Sequence, residues 1–194
     1  MNNLILLLVV CFLFSFHCFK TDNVEKEENI PPEKIIEILG LEPLDDECGG
    51  YYRETYRSSN LADIEKERSC ATLIYHLLIG KEFAKWHRIT SDEIFIYNSG
   101  SSQFVLLLYP DGTWKEYVLG PNIVQGETPQ VIVPAGTWMA EVLTDRSPDS
   151  WGLVGVMVCP GFDPADYTGA QKSLPVIEKY PDALHRIKEL GLDY

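Results

Sequence analysis

Positive charge is what this chain has least of. Sixteen lysines and arginines stand against 29 aspartates and glutamates, a formal net charge of −13 over 194 residues. Such a chain repels a phosphate backbone, and no basic run offers a local exception, so nucleic acid is excluded as a partner. Paired metal-binding cysteines are also missing. Cys48, Cys70 and Cys159 stand alone beyond the N-terminal segment, with no Cys-x-x-Cys between them, which excludes a zinc knuckle or a thioredoxin-like motif. Two states stay open for them: one disulfide with one free thiol, or three reduced thiols. There is no Asn-x-Ser/Thr sequon, no Ser-His-Asp order, no phosphate-cradling glycine loop and no dinucleotide fingerprint. Internal repeats and low-complexity blocks are absent too.

Long apolar runs are limited to one. Leu4 to Phe19 spans sixteen residues, short of the about 20 that a membrane helix needs. It reads as the core of a signal peptide over residues 1–19, with an uncleaved anchor as the alternative. The expected location is therefore secreted or the secretory lumen, with membrane anchoring as the alternative. Residues 20–32 form a polar, acidic linker. The remainder, 33–194, is long enough for one domain with a real core.

What is present is mostly strand sequence. A short helix opens at Pro31-Pro32 and closes at Gly40, with Ile35, Ile36 and Leu39 on one face. Expected strands cover 51–58, 69–79, 83–89, 93–97, 103–109, 113–119, 130–133, 138–143 and 151–159. Asp111-Gly112 between two of them is a strong hairpin signal. Residues 174–179 and 181–190 read as helices that cap the domain from outside. Short strands at regular spacing with helices only at the ends predict a β-sandwich or small barrel, whose mouth can hold a ligand.

The segment Trp86-His87-Arg88-Ile89-Thr90-Ser91-Asp92-Glu93-Ile94-Phe95 places three ionisable groups in two otherwise apolar strands. An ionisable group facing a core is costly unless it has a partner or a task. His76, alternating with apolar residues, reads as a core histidine, and His185 as solvent-facing.

The order of these motifs resembles the cupin superfamily. Its first motif ends in a glutamate, six residues and a glycine, matched by Glu93 and Gly100. His87 stands at the first histidine of the shorter spacing, and Ile89 replaces the second. The second motif is similar to Pro134-Ala135-Gly136, with Met139 at its histidine position. A closer resemblance is to the fifth cupin family, carried by Gly49-Gly50-Tyr51-Tyr52-Arg53-Glu54-Thr55-Tyr56-Arg57-Ser58, Trp86-His87-Arg88, Val133-Pro134-Ala135-Gly136-Thr137-Trp138 and Pro160-Gly161-Phe162-Asp163. It implies an all-β double-stranded β-helix, the jelly-roll barrel, with short peripheral helices at both ends. Together with exposed β edges it also implies a homodimer.

Cupins usually hold a metal with three histidines and a carboxylate. Only His87 and Glu93 remain of those donors, so the expectation is a metal-free pocket without cofactor. Three readings follow. In the first, the pocket around His87, Arg88 and Glu93 binds an unidentified, carbohydrate-like small molecule, with Arg53, Tyr52, Trp86 and Met139 among its walls. In the second, an isomerase or epimerase resembling the sugar-nucleotide epimerases uses His87 as general base and Glu93 to orient it, with Arg88 or Arg53 anchoring an anionic substrate or enolate. A tyrosine acid would come from Tyr52, Tyr75 or Tyr97. In the third, His87 and Glu93 are a buried polar layer paired with arginines.

Overall fold

Alternation of side chains along each strand decides the architecture of this protein. The computed structural model describes residues 30–44, 48–64, 67–169 and 174–193. The expected leader at 1–19 and nearly all of the 20–32 linker lie outside the described residues. A helix, α1 (Pro32–Leu39), precedes strands β1 (Glu42–Pro43), β2 (Tyr51–Arg57), β3 (Thr72–Ile79), β4 (Phe83–Arg88), β5 (Asp92–Gly100) and β6 (Gln103–Leu108). The chain continues through β7 (Trp114–Leu119), β8 (Gln130–Val133), β9 (Trp138–Leu143), β10 (Trp151–Cys159) and β11 (Thr168–Gly169) to α2 (Leu174–Ile177) and α3 (Leu184–Glu189).

Two antiparallel sheets face each other. One has the order β1-β2-β3-β10-β5-β8 and the other β11-β4-β9-β6-β7. Val105, Leu107, Val131, Met139, Val154 and Val156 point between them and form the inner core. Leu106, Leu108, Ala140 and Val142 point the other way, under Ile177, Tyr180, Ile187 and Leu192 of the C-terminal segment. That second layer explains why β6 is apolar at nearly every position: both of its faces are covered. On the opposite sheet α1 lays Ile35, Ile36 and Leu39 against Leu77, Trp151 and Leu153. The expectation of external caps at both ends matches this arrangement, and the double-stranded β-helix is the fold.

Two local devices shape the half of the barrel that stays open. Gly49 and Gly50 have φ of 81° and 80°, a region L-residues rarely adopt. A side chain at Gly49 would sit 2.3 Å from the Phe83 carbonyl oxygen, so the turn into β2 requires glycine there. The second device is a shift in the β4–β9 pairing between Ala84 and His87. A bulge of this kind resets strand parity, and both Ala84 and His87 consequently line the cavity despite their odd spacing.

The three described cysteines, Cys48, Cys70 and Cys159, form no disulfide with one another. Burial, followed by nearby Asp92 and Cys70, pushes the Cys159 thiol up from its usual range.

Candidate functional site

Strand parity sends six ionisable side chains into one cavity of about 530 Å³ at the end of the barrel. On β2, Tyr52 and Glu54 point in. On β3, His76 points in; on β4, His87; on β5, Glu93; on β9, Glu141. Ile74, Phe95, Val156 and Val158 make the apolar floor, and Phe162, Pro164 and Tyr167 close one side. Among the described lining residues there is no lysine or arginine.

The segment that closes the side is held from outside. The buried Arg68 guanidinium binds Asp166 and the Gly161 carbonyl, and lies 3.7 Å from Asp163. Arg57 pairs with Glu54 through two nitrogens and also donates to the Phe162 carbonyl at 3.1 Å. β11 then pairs with β4, with Gly169 opposite His87. The Tyr167 ring stacks on the His87 ring at 5.5 Å between centroids and 21° between planes.

Each histidine faces a carboxylate supplied by the opposite sheet. His87 Nε2, from the five-stranded sheet, lies 3.9 Å from Glu93 Oε1 in the six-stranded sheet. His76 Nδ1, from the six-stranded sheet, lies 3.6 Å from Glu141 Oε2 in the five-stranded one. Backbone carbonyls settle the remaining ring nitrogens. His87 Nδ1 lies 2.7 Å from the Lys85 carbonyl oxygen, and His76 Nε2 lies 3.2 Å from that of Gly49. A carbonyl can only accept, so those two nitrogens carry the protons. When either ring is neutral, the nitrogen left with a lone pair is the one beside the carboxylate, His87 Nε2 or His76 Nδ1.

The carboxylates are short of partners. Glu141 is 0% exposed and Glu93 6%. Neither oxygen of Glu141 has a hydrogen-bond partner, nor does Oε2 of Glu93. A buried, unfilled acceptor is expensive in a folded protein unless something outside the chain fills it.

Both imidazoles are held above their ordinary pKa. Burial alone pushes His87 down, but Glu93, the Lys85 carbonyl and Glu141 outweigh it. Burial likewise lowers His76, and Glu141 with the Gly49 carbonyl more than restores it against the opposing charge of His87. A raised folded pKa means stabilisation that is complete below the unfolded value of about 6.5 and is lost as pH rises through the folded value. The melting temperature is therefore expected to fall as pH rises above about 6.5. Part of any such fall comes from the chain's overall acidity. The His76→Asn/His87→Gln double variant isolates the imidazole share, and an undiminished slope in that variant would contradict the assignment.

Several residues singled out in the sequence lie elsewhere. Trp86 is fully buried on the outer face of β4, its indole nitrogen donating to the Leu192 carbonyl at 2.8 Å. Arg88 shares that outward parity and sits 5.1 Å over the Trp138 ring. Arg53 alternates with Tyr52, faces out and lies 5.7 Å from the Tyr75 ring centre. Met139 is fully buried in the inner core and is not part of the lining. Tyr52, His87 and Glu93 are brought together in the cavity. Tyr75 and Tyr97 are not in its lining, and the Tyr97 hydroxyl donates to the Gly100 carbonyl. The pairing of His87 and Glu93 with arginines is not found; they face each other. His76, read from sequence as a core histidine, and Glu141, unremarked there, complete the group. An ionisable residue in an apolar strand is the sequence signal at His87, and it marks His76 and Glu141 as well.

A metal needs converging donors. Among the described residues no three histidine, cysteine, aspartate or glutamate side chains come together in a way that holds an ion. The residues present do not fit the usual cupin metal site.

The Cupin superfamily (DUF985) family model matches residues 33–170, and the chain belongs to that family. An uncharacterised protein of Saccharomyces cerevisiae is 35% identical over 153 residues, covering 71% of this chain and 76% of the yeast protein. A protein of Shewanella oneidensis has a similar solved structure, with a TM-score of 0.72 at 30% identity over 83% of this chain and 97% of that one. A hypothetical protein from Leishmania major gives a TM-score of 0.73 at 27% identity over 82% and 98% of the two chains. A cupin-2 domain protein of Rhodospirillum rubrum shares the fold, with a TM-score of 0.54 at 12% identity over 80% and 91%.

Proposed function

We propose that the protein binds a small, uncharged, hydroxylated molecule, carbohydrate-like in chemistry, in the barrel cavity and without a metal. The observation that carries this reading is Glu141, wholly buried with neither oxygen in a hydrogen bond and only the His76 ring beside it. A carboxylate can only accept, so the ligand must bring donors. Sugar hydroxyls are donors, and Tyr52, Phe95 and Tyr167 offer flat apolar walls for a ring. Among the described lining residues there is no lysine or arginine, while Glu93 and Glu141 have none as a partner, which argues against a phosphate or carboxylate on the ligand. This moves the anchor away from Arg53 and Arg88, which face outward.

A second reading is favoured by one further observation. The neutral His87 ring keeps its lone pair on Nε2, beside Glu93 and within the cavity lining. A lone pair on Nε2 with the other N–H held by the Lys85 carbonyl is the arrangement of a general base, oriented by that carbonyl rather than by Glu93, whose part is to raise its basicity. It supports isomerase or epimerase chemistry with His87 as base.

Saturation-transfer NMR tests the binding reading. D-xylose and D-fructose should receive magnetisation from the protein, and fructose 6-phosphate should not. Transfer to the phosphate ester in preference to the free sugars would overturn the reading.

A further inference from the structure

The pair His76 and Glu141 is absent from the motifs that mark this family in the sequence, yet it mirrors His87 and Glu93. Each pair takes its imidazole from one sheet and its carboxylate from the other, so the two imidazoles enter the cavity from opposite walls. The separation of 3.6 Å between His76 Nδ1 and Glu141 leaves neither spent in a hydrogen bond with the other. Gly49 fixes the ring from behind, through a turn that only glycine can make.

We propose that His76 and Glu141 are the acid half of a two-sided proton-transfer site whose substrate is an uncharged α-hydroxycarbonyl compound, an aldose or ketose. This deepens the second reading above and rests on the binding reading. His87 Nε2 removes the proton on the carbon next to the carbonyl. The electron pair of that C–H bond becomes the new C=C bond, the carbonyl π pair moves onto its oxygen, and that oxygen takes the proton from His76 Nδ1. The product is an enediol, with the Glu141 carboxylate accepting from the neighbouring hydroxyl. Return of the carbon-bound proton to the adjacent carbon, with the other hydroxyl giving its proton back to His76, yields the isomeric carbonyl compound. Two protons move, no net oxidation occurs and no co-reactant is consumed. The chemistry suits the lining: carboxylates read hydroxyls, and among the described lining residues no lysine or arginine demands an anionic substrate.

The test is deuterium wash-in, followed by proton NMR, with dihydroxyacetone, D-xylose and D-fructose in D2O. The wild-type protein should replace the carbon-bound proton next to the carbonyl in at least one of the three. His76→Asn keeps a donor where Nδ1 stood but transfers no proton. It should slow exchange by about 100-fold or more while saturation transfer to the same sugar persists. Should that variant fail to fold, Glu141→Gln stands in, with exchange read at saturating sugar so that its weaker binding does not enter, and the same slowing expected. Wild-type exchange rates in His76→Asn, or in Glu141→Gln where it stands in, would overturn the inference and leave the binding reading standing. Saturation transfer without exchange in the wild type would do the same. No saturation transfer to any of the three sugars would overturn both.

Discussion

Replacing His76 by alanine at pH 6 is expected to cost the fold about 3–5 kcal/mol, a drop in melting temperature of about 10 °C for a chain of this length. At that pH the ring carries a charge, since its pKa is raised by Glu141 and the Gly49 carbonyl despite burial. Its removal leaves the Glu141 carboxylate at 0% exposure with nothing positive beside it. An uncompensated buried charge is far more costly than a missing contact. The cost should therefore be contingent on Glu141. In the His76→Ala/Glu141→Gln double variant most of the lost stability should return, and the cycle should show strong non-additivity. Additive losses would mean that the two groups do not act on each other.

Glu141→Gln alone is expected to change stability in the opposite direction. The amide matches the carboxylate in shape and carries no charge to desolvate. Its N–H2 can donate to the Nδ1 lone pair of a neutral His76, which leaves that ring's other nitrogen on the Gly49 carbonyl. A gain of about 1 kcal/mol follows, or a melting temperature about 2–4 °C higher. The same change should weaken binding of an uncharged sugar by about 1–1.5 kcal/mol for each hydrogen bond affected, roughly 5- to 12-fold, because a hydrogen bond to a charged acceptor becomes one to a neutral acceptor. Stability gained and affinity lost together is the signature of a group retained for a task. A lower melting temperature with unchanged binding would identify Glu141 as structural.

Much of the fold was legible from strand chemistry alone. Gln130–Val133, Trp138–Leu143 and Trp151–Cys159 lie where β-branched and aromatic content puts them. The two-residue strands Glu42–Pro43 and Thr168–Gly169 were not legible, since two residues show no alternation. The second of these matters, because it brings Tyr167 against His87. Nor was the bulge between Ala84 and His87 visible, and it decides which side of β4 meets the cavity.

The site was half legible for a related reason. Arg53 beside Tyr52, and Arg88 beside His87, are sequence neighbours on single strands, so parity alone keeps both members of each couple from one cavity. Treating a motif as a cluster hides that constraint. Met139 drew attention by standing at a histidine position, while Glu141, two residues on and so on the same face of β9, is the group that reaches the cavity. Sequence patterns of the family single out His87 and Glu93. The tertiary fold adds His76 and Glu141, because sheet-to-sheet packing sets which charges meet across the barrel.

The central claim is that two imidazole–carboxylate pairs from facing sheets enclose one uncharged, hydroxylated ligand. A crystal structure of the protein soaked with D-xylose or D-fructose tests it most directly. The expected result is a sugar between the two sheets, its hydroxyls donating to Glu141 and its carbonyl carbon neighbour within reach of His87 Nε2. A sugar bound elsewhere with the cavity holding only water, or an ion coordinated by His76, His87 and Glu93 in its place, would contradict the account.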